Sequence, residues 1–155
     1  MSQVTRLKCS SDISRLVIRV HYDIEKFRLR ESKALKRVIG RIISDAGMKQ
    51  GTIDLVFTGD SKVYEINNEF LGHDYYTDII TFNYNSVKTV NGEVYISIDR
   101  VRENAMKFNV PFRSELKRVV FHGVLHLCGY DDRTAEQKAK MREMEEMYLA
   151  LSYAG

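Results

Sequence analysis

Two histidines lie four positions apart in FHGVLHLCGYDD, residues 121–132, within an otherwise apolar run. In a helix, His122 and His126 would lie roughly 40° apart on one face, so both imidazoles could point at one ion. Gly129 can adopt the left-handed conformation that ends a helix, which would let Asp132 return toward the same ion. The spacing H-x-x-x-H-x-x-G-x-x-D therefore predicts a metal site with three protein ligands.

Three protein ligands and an open fourth position are typical of a catalytic zinc site rather than a structural one. A lone pair of histidines at this spacing could also be a surface or core feature. The apolar neighbours favour burial, however, and buried imidazoles without partners are costly. Cys128 would lie about 200° around the helix from His126, so we do not expect it to join the site. Asp131 is one residue out of register for the third ligand.

The spacing is also that of zinc peptidases with the pattern H-E-x-x-H-x-x-G-x-x-H. Those enzymes carry a glutamate directly after the first histidine as the general base, whereas this chain has Gly123. A peptidase would need a base from elsewhere, such as Glu143, Glu145 or Glu146, which we interpret as the solvated face of the last helix. We expect Gly123 to leave room for substrate instead.

The helix that carries both histidines is predicted to begin at Pro111 and Ser114. Periodicity and β-branched runs predict the other elements: strands at about 16–22, 53–57, 78–84 and 92–98, and helices at about 31–46, 60–70, 99–108 and 135–149. Because the order is mixed, we predict an α+β domain, a mixed sheet of about four strands with about five helices. The zincin-like metal site would lie on a central helix.

Local signals place the ends of several elements. Asp60 and Asp99 are predicted helix N-caps, and the Asn91-Gly92 pair predicts a hairpin turn. Thr134 with Gln137 predicts a capping box for the last helix. The methionines spaced along that helix are expected in the core: Met141, Met144 and Met147.

A length of 155 residues favours one domain, residues 13–155, after a flexible N-terminal extension at 1–12. Cys9 and Cys128 lie far apart in unlike contexts, which argues against a disulfide framework and for a reducing cytosol. No stretch approaches the roughly 18–20 apolar residues of a membrane span, and residues 1–14 lack the apolar stretch of a signal peptide.

Positive charge is concentrated at the start of the chain. Residues 1–50 hold 12 Lys and Arg against five Asp and Glu. Such a segment could form a patch that faces phosphates. We expect the simpler outcome, a solvated helix face.

Three blocks together resemble the YbeY family of bacterial rRNA-maturation endoribonucleases. Residues 122–132 match the family signature H-G-x-L-H-L-x-G-Y-D-H at every specified position except the last. Residues 77–82, preceded by the asparagine-containing helix end at 67–70, are similar to T-D-V-L-S-F. Residues 92–97 are similar to G-D-I-x-I-S. The resemblance covers roughly residues 16–148.

The resemblance implies a cytoplasmic, single-strand-specific, metal-dependent endoribonuclease, a phosphodiester hydrolase. It would act in 16S rRNA 3′-end maturation and ribosome quality control. The implied partners are RNA and the small ribosomal subunit, with neither a membrane nor DNA. The implied cofactor is one Zn²⁺ per chain, with Mn²⁺ as another possible ion. By position, His122 and His126 would be the first two ligands and Asp132 the third.

The chain departs from the family pattern at two positions. Asp132 replaces a histidine, which keeps the ligand geometry but lowers the charge of the site by one unit and favours harder ions such as Mn²⁺. Leu71 replaces a loop arginine that is assigned to RNA or phosphate contact. We expect that phosphate binding is weaker or that His73 has taken over part of this role as a candidate catalytic residue.

Two other functions stay open at this point. The chain could be a ribosome-associated RNA-binding factor with a structural metal, docked through its basic first third, or, less favoured, a metalloprotease. A fourth protein ligand would favour the binding factor, and an open position would favour the enzyme. Tyr75 and Tyr76 could stack on splayed RNA bases, although packing beside the strand is the simpler expectation.

Overall fold

The computed structural model describes residues 17–154. The predicted flexible extension at 1–12 and the predicted strand start at Leu16 lie outside the described residues. The strands are β1 (Val17–Asp23), β2 (Lys49–Thr58), β3 (Ile79–Asn83) and β4 (Thr89–Ser97). The helices are α1 (Ser32–Asp45), α2 (Asp60–Leu71), α3 (Ile98–Lys107), α4 (Phe112–Leu127) and α5 (Ala135–Tyr153). Within this part of the chain, the predicted α+β domain with four strands and five helices is confirmed.

The four strands form one mixed sheet in the order β1-β2-β4-β3. The first three strands in this order run parallel, and β3 pairs antiparallel with β4. One face of the sheet forms the main core, where Ile53, Leu55, Val94 and Ile96 are fully buried. Helix α2 covers part of the other face, where Ile80 lies in a second cluster with residues of that helix.

Helix α4 is the central helix of the fold. It contacts β3 and β4 as well as α1, α3 and α5. Its residues Val120, Phe121, Val124 and Leu125 have no exposed surface, as expected for a helix enclosed on most sides. Pro111 is its N-cap residue, in agreement with the predicted start of this helix. Both histidines lie on this helix, and they share a cleft lining with residues of β3.

The predicted hairpin turn at Asn91-Gly92 is wrong, because both residues lie inside β4. The turn lies before them and includes a bridge in which the Thr89 amide donates to the Ser86 carbonyl at 2.9 Å. The Asn91 side chain accepts a hydrogen bond from the Thr52 amide at 2.9 Å. A β-carbon at Gly92 would lie 2.7 Å from an atom of Leu127. The Asn91 side chain therefore bonds to β2, and the missing side chain at Gly92 lets α4 lie close to β4.

The predicted N-caps at Asp60 and Asp99 are wrong by one and two residues. Gly59 and Ser97 are the N-cap residues, and the Ser97 hydroxyl accepts from the Arg100 amide at 3.1 Å. The two aspartates lie in the first turns instead. There Asp99 accepts from the Asp60 amide of the neighbouring helix at 2.8 Å. Such carboxylates satisfy amides at a helix start across the tertiary contact.

The last helix begins as predicted. The Gln137 amide donates to the Thr134 hydroxyl oxygen, and the Thr134 amide donates to the Gln137 side chain, each at 3.1 Å. Met141 and Met144 are buried, but Met147 is 53% exposed, so the core prediction is wrong at that position. The buried stripe continues through Tyr148 because four-residue steps keep one helix face toward the core. No helix within residues 17–154 is both long and apolar enough to cross a membrane.

Candidate metal centre

The three predicted ligands come together at the end of α4. Nε2 of His122 lies 3.0 Å from Nε2 of His126. Oδ2 of Asp132 lies 3.4 Å from each of these two nitrogens. A tetrahedral zinc with bonds of about 2.0–2.1 Å separates its ligand atoms by roughly 3.3 Å. The donor set and its spacing therefore fit a single ion of this kind.

Local backbone geometry explains how Asp132 reaches the histidines. Helix α4 ends at Leu127, and Gly129 follows with a φ of 99°, a conformation that side-chain-bearing residues rarely adopt. The Tyr130 amide donates to the Leu125 carbonyl at 3.1 Å, which folds the chain back over the helix end. The segment between α4 and α5 then carries Asp132 to the site. The predicted role of Gly129 agrees with this conformation.

The side chains of the three candidate ligands are partly exposed. The side chains of His122, His126 and Asp132 are 19%, 25% and 38% exposed. Within residues 17–154, these three form the one group of His, Cys, Asp or Glu side chains with metal-binding spacing. Cys128 does not belong to it, as predicted, and burial raises the pKa of its thiol to about 11. In the described chain the site thus has three protein donors and an open side.

The open side faces a cleft of about 520 Å³. Its walls include Asn67 and Leu71 of α2, His73 and Tyr75 of the following loop, and Asp78 before β3. Within residues 17–154, no lysine or arginine lines this cleft. The exposed basic residues of α1 border a separate groove, where Arg41 pairs with Asp45 at 2.9 Å. The solvated helix face stays a prediction. A bound ion would therefore bring positive charge that no described lysine or arginine of the lining supplies.

The loop after α2 places His73 and Tyr75 in the lining of the cleft, whereas the next residue, Tyr76, is not part of that lining. His73 stacks on Tyr75 with ring centroids 5.1 Å apart, and the Tyr75 hydroxyl lies 3.0 Å from His73 Nδ1. Tyr75 and Tyr76 are 55% and 52% exposed, so the expected packing beside the strand is wrong. Tyr76 instead pairs with Tyr64 at 4.6 Å. Leu71, also exposed, lines the same cleft as His73.

Glu145 contacts the site, so its predicted place on the solvated face of the last helix is wrong. The carboxylate is 5% exposed, and its Oε2 lies 2.5 Å from Nδ1 of His122. Burial acts to raise the pKa of Glu145, but hydrogen bonds and charge from His122 and Arg118 outweigh it and leave the pKa below its usual value. The predicted solvated face holds for Glu143 and Glu146 only. The sequence did contain a signal for this burial: Glu145 follows Met141 by four residues and therefore lies on the same helix face.

Asp78 is a second carboxyl group that sequence reasoning did not single out. It lines the cleft, and its Oδ2 accepts from Asn104 Nδ2 at 3.1 Å. Burial raises the pKa of Asp78, although the charges of Arg118 and His122 oppose the shift. The group therefore takes up a proton more readily than an exposed aspartate, and it adds no cation to the cleft.

Gly123 faces the sheet. A β-carbon there would lie 2.6 Å from Ile79 Cδ1 and 2.9 Å from Val94 Cγ1. The prediction that Gly123 leaves room for substrate is therefore wrong, because β3 and β4 side chains fill that space. The glycine instead allows α4 to lie close to the sheet. The peptidase base is absent from this position, as the sequence indicated.

Comparison with known proteins places the chain in a family. The family model described as "Endoribonuclease YbeY" matches residues 19–152, nearly the whole described chain. The chain belongs to the YbeY endoribonuclease family. The resemblance drawn from the three sequence blocks is thereby confirmed, and YbeY membership supports a nuclease that hydrolyses RNA.

Individual YbeY relatives agree with this assignment. A protein of Flavobacterium psychrophilum named Endoribonuclease YbeY is 42% identical over 135 residues, covering 87% of this chain and 96% of the relative. One from Chlorobaculum tepidum is 47% identical over 115 residues, covering 74% and 84%. The solution structure of TM1509 from Thermotoga maritima matches with a TM-score of 0.61 and 30% identity, covering 89% of this chain and 90% of that chain. The YbeY likeness thus extends over most of the fold.

Proposed function

We propose that this chain is a metal-dependent endoribonuclease that cuts single-stranded RNA, acting in 16S rRNA 3′-end maturation and ribosome quality control in the cytoplasm. The carrying observation is the convergence of His122, His126 and Asp132 at 3.0–3.4 Å in the cleft of a YbeY family member. Its partners would be RNA and the small ribosomal subunit.

His122, His126 and Asp132 would hold the ion. Two imidazoles and a carboxylate suit Zn²⁺, and the carboxylate lowers the net charge by one unit, which lets Mn²⁺ compete better than at a three-histidine site. When bound, a divalent ion supplies Lewis acidity for a phosphoryl oxygen and lowers the pKa of water. The three side chains fix its place at the cleft, and the open side leaves space for a phosphodiester.

The composition of the cleft favours His73 as the residue that contacts RNA phosphate. The described residues of the cleft lining include no lysine or arginine, and Leu71 stands where the family pattern has arginine. His73 lies two residues further on, in the same wall, and Tyr75 keeps its ring in place through stacking and a hydroxyl contact. An imidazole N–H can donate to a phosphate oxygen.

Replacement of His73 by alanine is expected to lower kcat/KM for RNA by about tenfold, mostly through KM, because one hydrogen bond to a charged group is lost. His21→Ala is the matched control, since His21 is an exposed histidine on β1 whose partner is Asp54. Leu71→Arg should raise kcat/KM by restoring a cation at the cleft. Steady-state kinetics on a single-stranded oligoribonucleotide measure all three. Equal kcat/KM values for His73→Ala and wild type would show that His73 has no role in RNA binding.

Exposed aromatic rings support the preference for single-stranded RNA. Tyr75 lines the cleft and is 55% exposed, and the next residue, Tyr76, is 52% exposed. Aromatic side chains stack on unpaired bases, which are available only where the strand is not in a duplex. The same surface would gain little from a double helix.

Removal of the metal is the direct test of the proposed function. Purified protein is expected to carry about one transition-metal ion per chain, as one three-ligand site implies. Cleavage of single-stranded RNA should be lost after chelation and return on addition of Zn²⁺ or Mn²⁺. Duplex RNA, single-stranded DNA and casein serve as comparison substrates and should remain intact. Cleavage of RNA that persists in full without metal would contradict the proposal.

The open coordination side favours the enzyme over the two alternatives. A structural zinc normally has four protein ligands, and only three donors converge in residues 17–154. A metalloprotease needs a general base beside the ion, and Gly123 offers none. The glutamate nearest the site, Glu145, is engaged on the far side of the His122 ring.

A further inference from the structure

A buried carboxylate lies directly behind the candidate metal centre. Oε2 of Glu145 lies 2.5 Å from Nδ1 of His122, and Oε1 accepts from Arg118 Nη1 at 3.0 Å. We infer that Glu145 is a positioning residue that fixes the tautomer of His122 and thereby sets the affinity of the site for its ion. This inference rests on the proposed function and assigns a role to a residue on the last helix.

The direction of the contact determines the tautomer. An ionised carboxylate can only accept hydrogen bonds, so Nδ1 of His122 must carry the proton that it donates to Glu145. In a neutral imidazole, Nε2 then has a free lone pair. Nε2 is the atom that lies 3.0 Å from His126 and 3.4 Å from Asp132. Glu145 thus presents the correct nitrogen of His122 to the ion, as outer-shell carboxylates do in other metal sites.

Arg118 supports the charge of this carboxylate. Its guanidinium binds Glu115 through two nitrogens, Nε to Oε1 at 2.9 Å and Nη2 to Oε2 at 2.6 Å. Glu115 is 2% exposed, so this pair is part of the interior. The remaining Nη1 donates to Glu145. A buried carboxylate without such a partner would be costly, and Arg118 removes that cost while leaving Oε2 for His122.

Glutamine cannot reproduce both contacts, although it has nearly the same shape. Its amide offers one acceptor oxygen and one donor nitrogen, whereas Glu145 accepts from two donors. If the amide oxygen faces His122, the amide nitrogen faces the Arg118 N–H. If the amide is turned over, its nitrogen donates to Nδ1 and His122 must carry its proton on Nε2, where it can no longer bind an ion.

Glu145→Gln is expected to weaken the Kd for Zn²⁺ by about 10–100-fold, the usual effect of losing an outer-shell partner of a histidine ligand. The matched control is Glu146→Gln, the same substitution on the next residue of α5, which is exposed. Its Kd should stay within about twofold of wild type. Competition with a zinc-binding dye gives the affinities. Thermal unfolding of the metal-free proteins shows that both variants are folded.

A second measurement needs no variant. In metal-free wild type, at a pH where the His122 ring is neutral, its ¹⁵N spectrum should show the proton on Nδ1 and none on Nε2. A neutral ring with its proton on Nε2, or equal Zn²⁺ affinities for wild type and Glu145→Gln, would overturn the role of Glu145. If Glu145→Gln does not fold, the ring spectrum alone decides. RNA cleavage by wild type is measured in parallel, because its failure contradicts the proposed function and leaves the tautomer test standing.

Discussion

His122→Ala is expected to abolish metal binding and to reduce cleavage of single-stranded RNA by at least about 10³-fold. This loss exceeds the roughly 10–100-fold effect of an outer-shell partner, because a direct ligand is removed. Two ligands, His126 and Asp132, would remain, and two donors do not define a tetrahedral site. Metal content and kcat/KM measured on the same preparation test the prediction.

The neighbouring acidic residues provide the comparison for this result. Asp132→Ala should also lower metal occupancy, whereas Asp131→Ala, one residue away and exposed, should leave it unchanged. Asp132→His should raise the preference for Zn²⁺ over Mn²⁺, because a third neutral ligand removes the carboxylate charge. Metal retained by Asp132→Ala but lost in His122→Ala would mean that the third ligand lies elsewhere. An unchanged metal preference in Asp132→His would contradict the charge argument.

Gly123→Glu is expected to prevent folding at ordinary temperatures. The new side chain would begin 2.6 Å from Ile79 and 2.9 Å from Val94, and it would carry a charge into the space between α4 and the sheet. An unpaired buried charge destabilises a protein by several kcal/mol, which is comparable to the whole stability of a domain. The substitution creates the zinc-peptidase sequence pattern H-E-x-x-H. It therefore also tests whether that pattern alone gives peptidase activity. Circular dichroism and solubility measure the outcome.

Gly123→Ala gives the graded control for this prediction. Overpacking costs about 1–3 kcal/mol, while alanine recovers up to about 1 kcal/mol of helix propensity. We therefore expect a folded protein with a melting temperature lowered by a few degrees, since about 1 kcal/mol corresponds to roughly 2–4 °C at this size. A Gly123→Glu protein with wild-type melting would show that this space is larger than the contacts imply. Peptidase activity in that variant would contradict the assigned reaction class.

The overall fold could be predicted because most of its elements carry local signals. Helix α4 has a proline at its start and a glycine after its end, and the last helix has its capping box. The place of the turn before β4 could not be predicted correctly. An Asn-Gly pair suits a hairpin turn, but it also fits a strand whose neighbours pack closely against it. Which use applies depends on Thr52 and Leu127, which are distant in sequence.

The sequence by itself determined that His122, His126 and Asp132 come together as candidate ligands, because helical rotation and one glycine turn act over only eleven residues. Only the tertiary structure decided what surrounds that set. Glu145 reaches His122 because α5 packs on α4, and the cleft exists because the loop after α2 lies beside β3. Contacts of this kind depend on packing between separate elements, so a local periodicity assigns such a residue to a face but does not identify its partner.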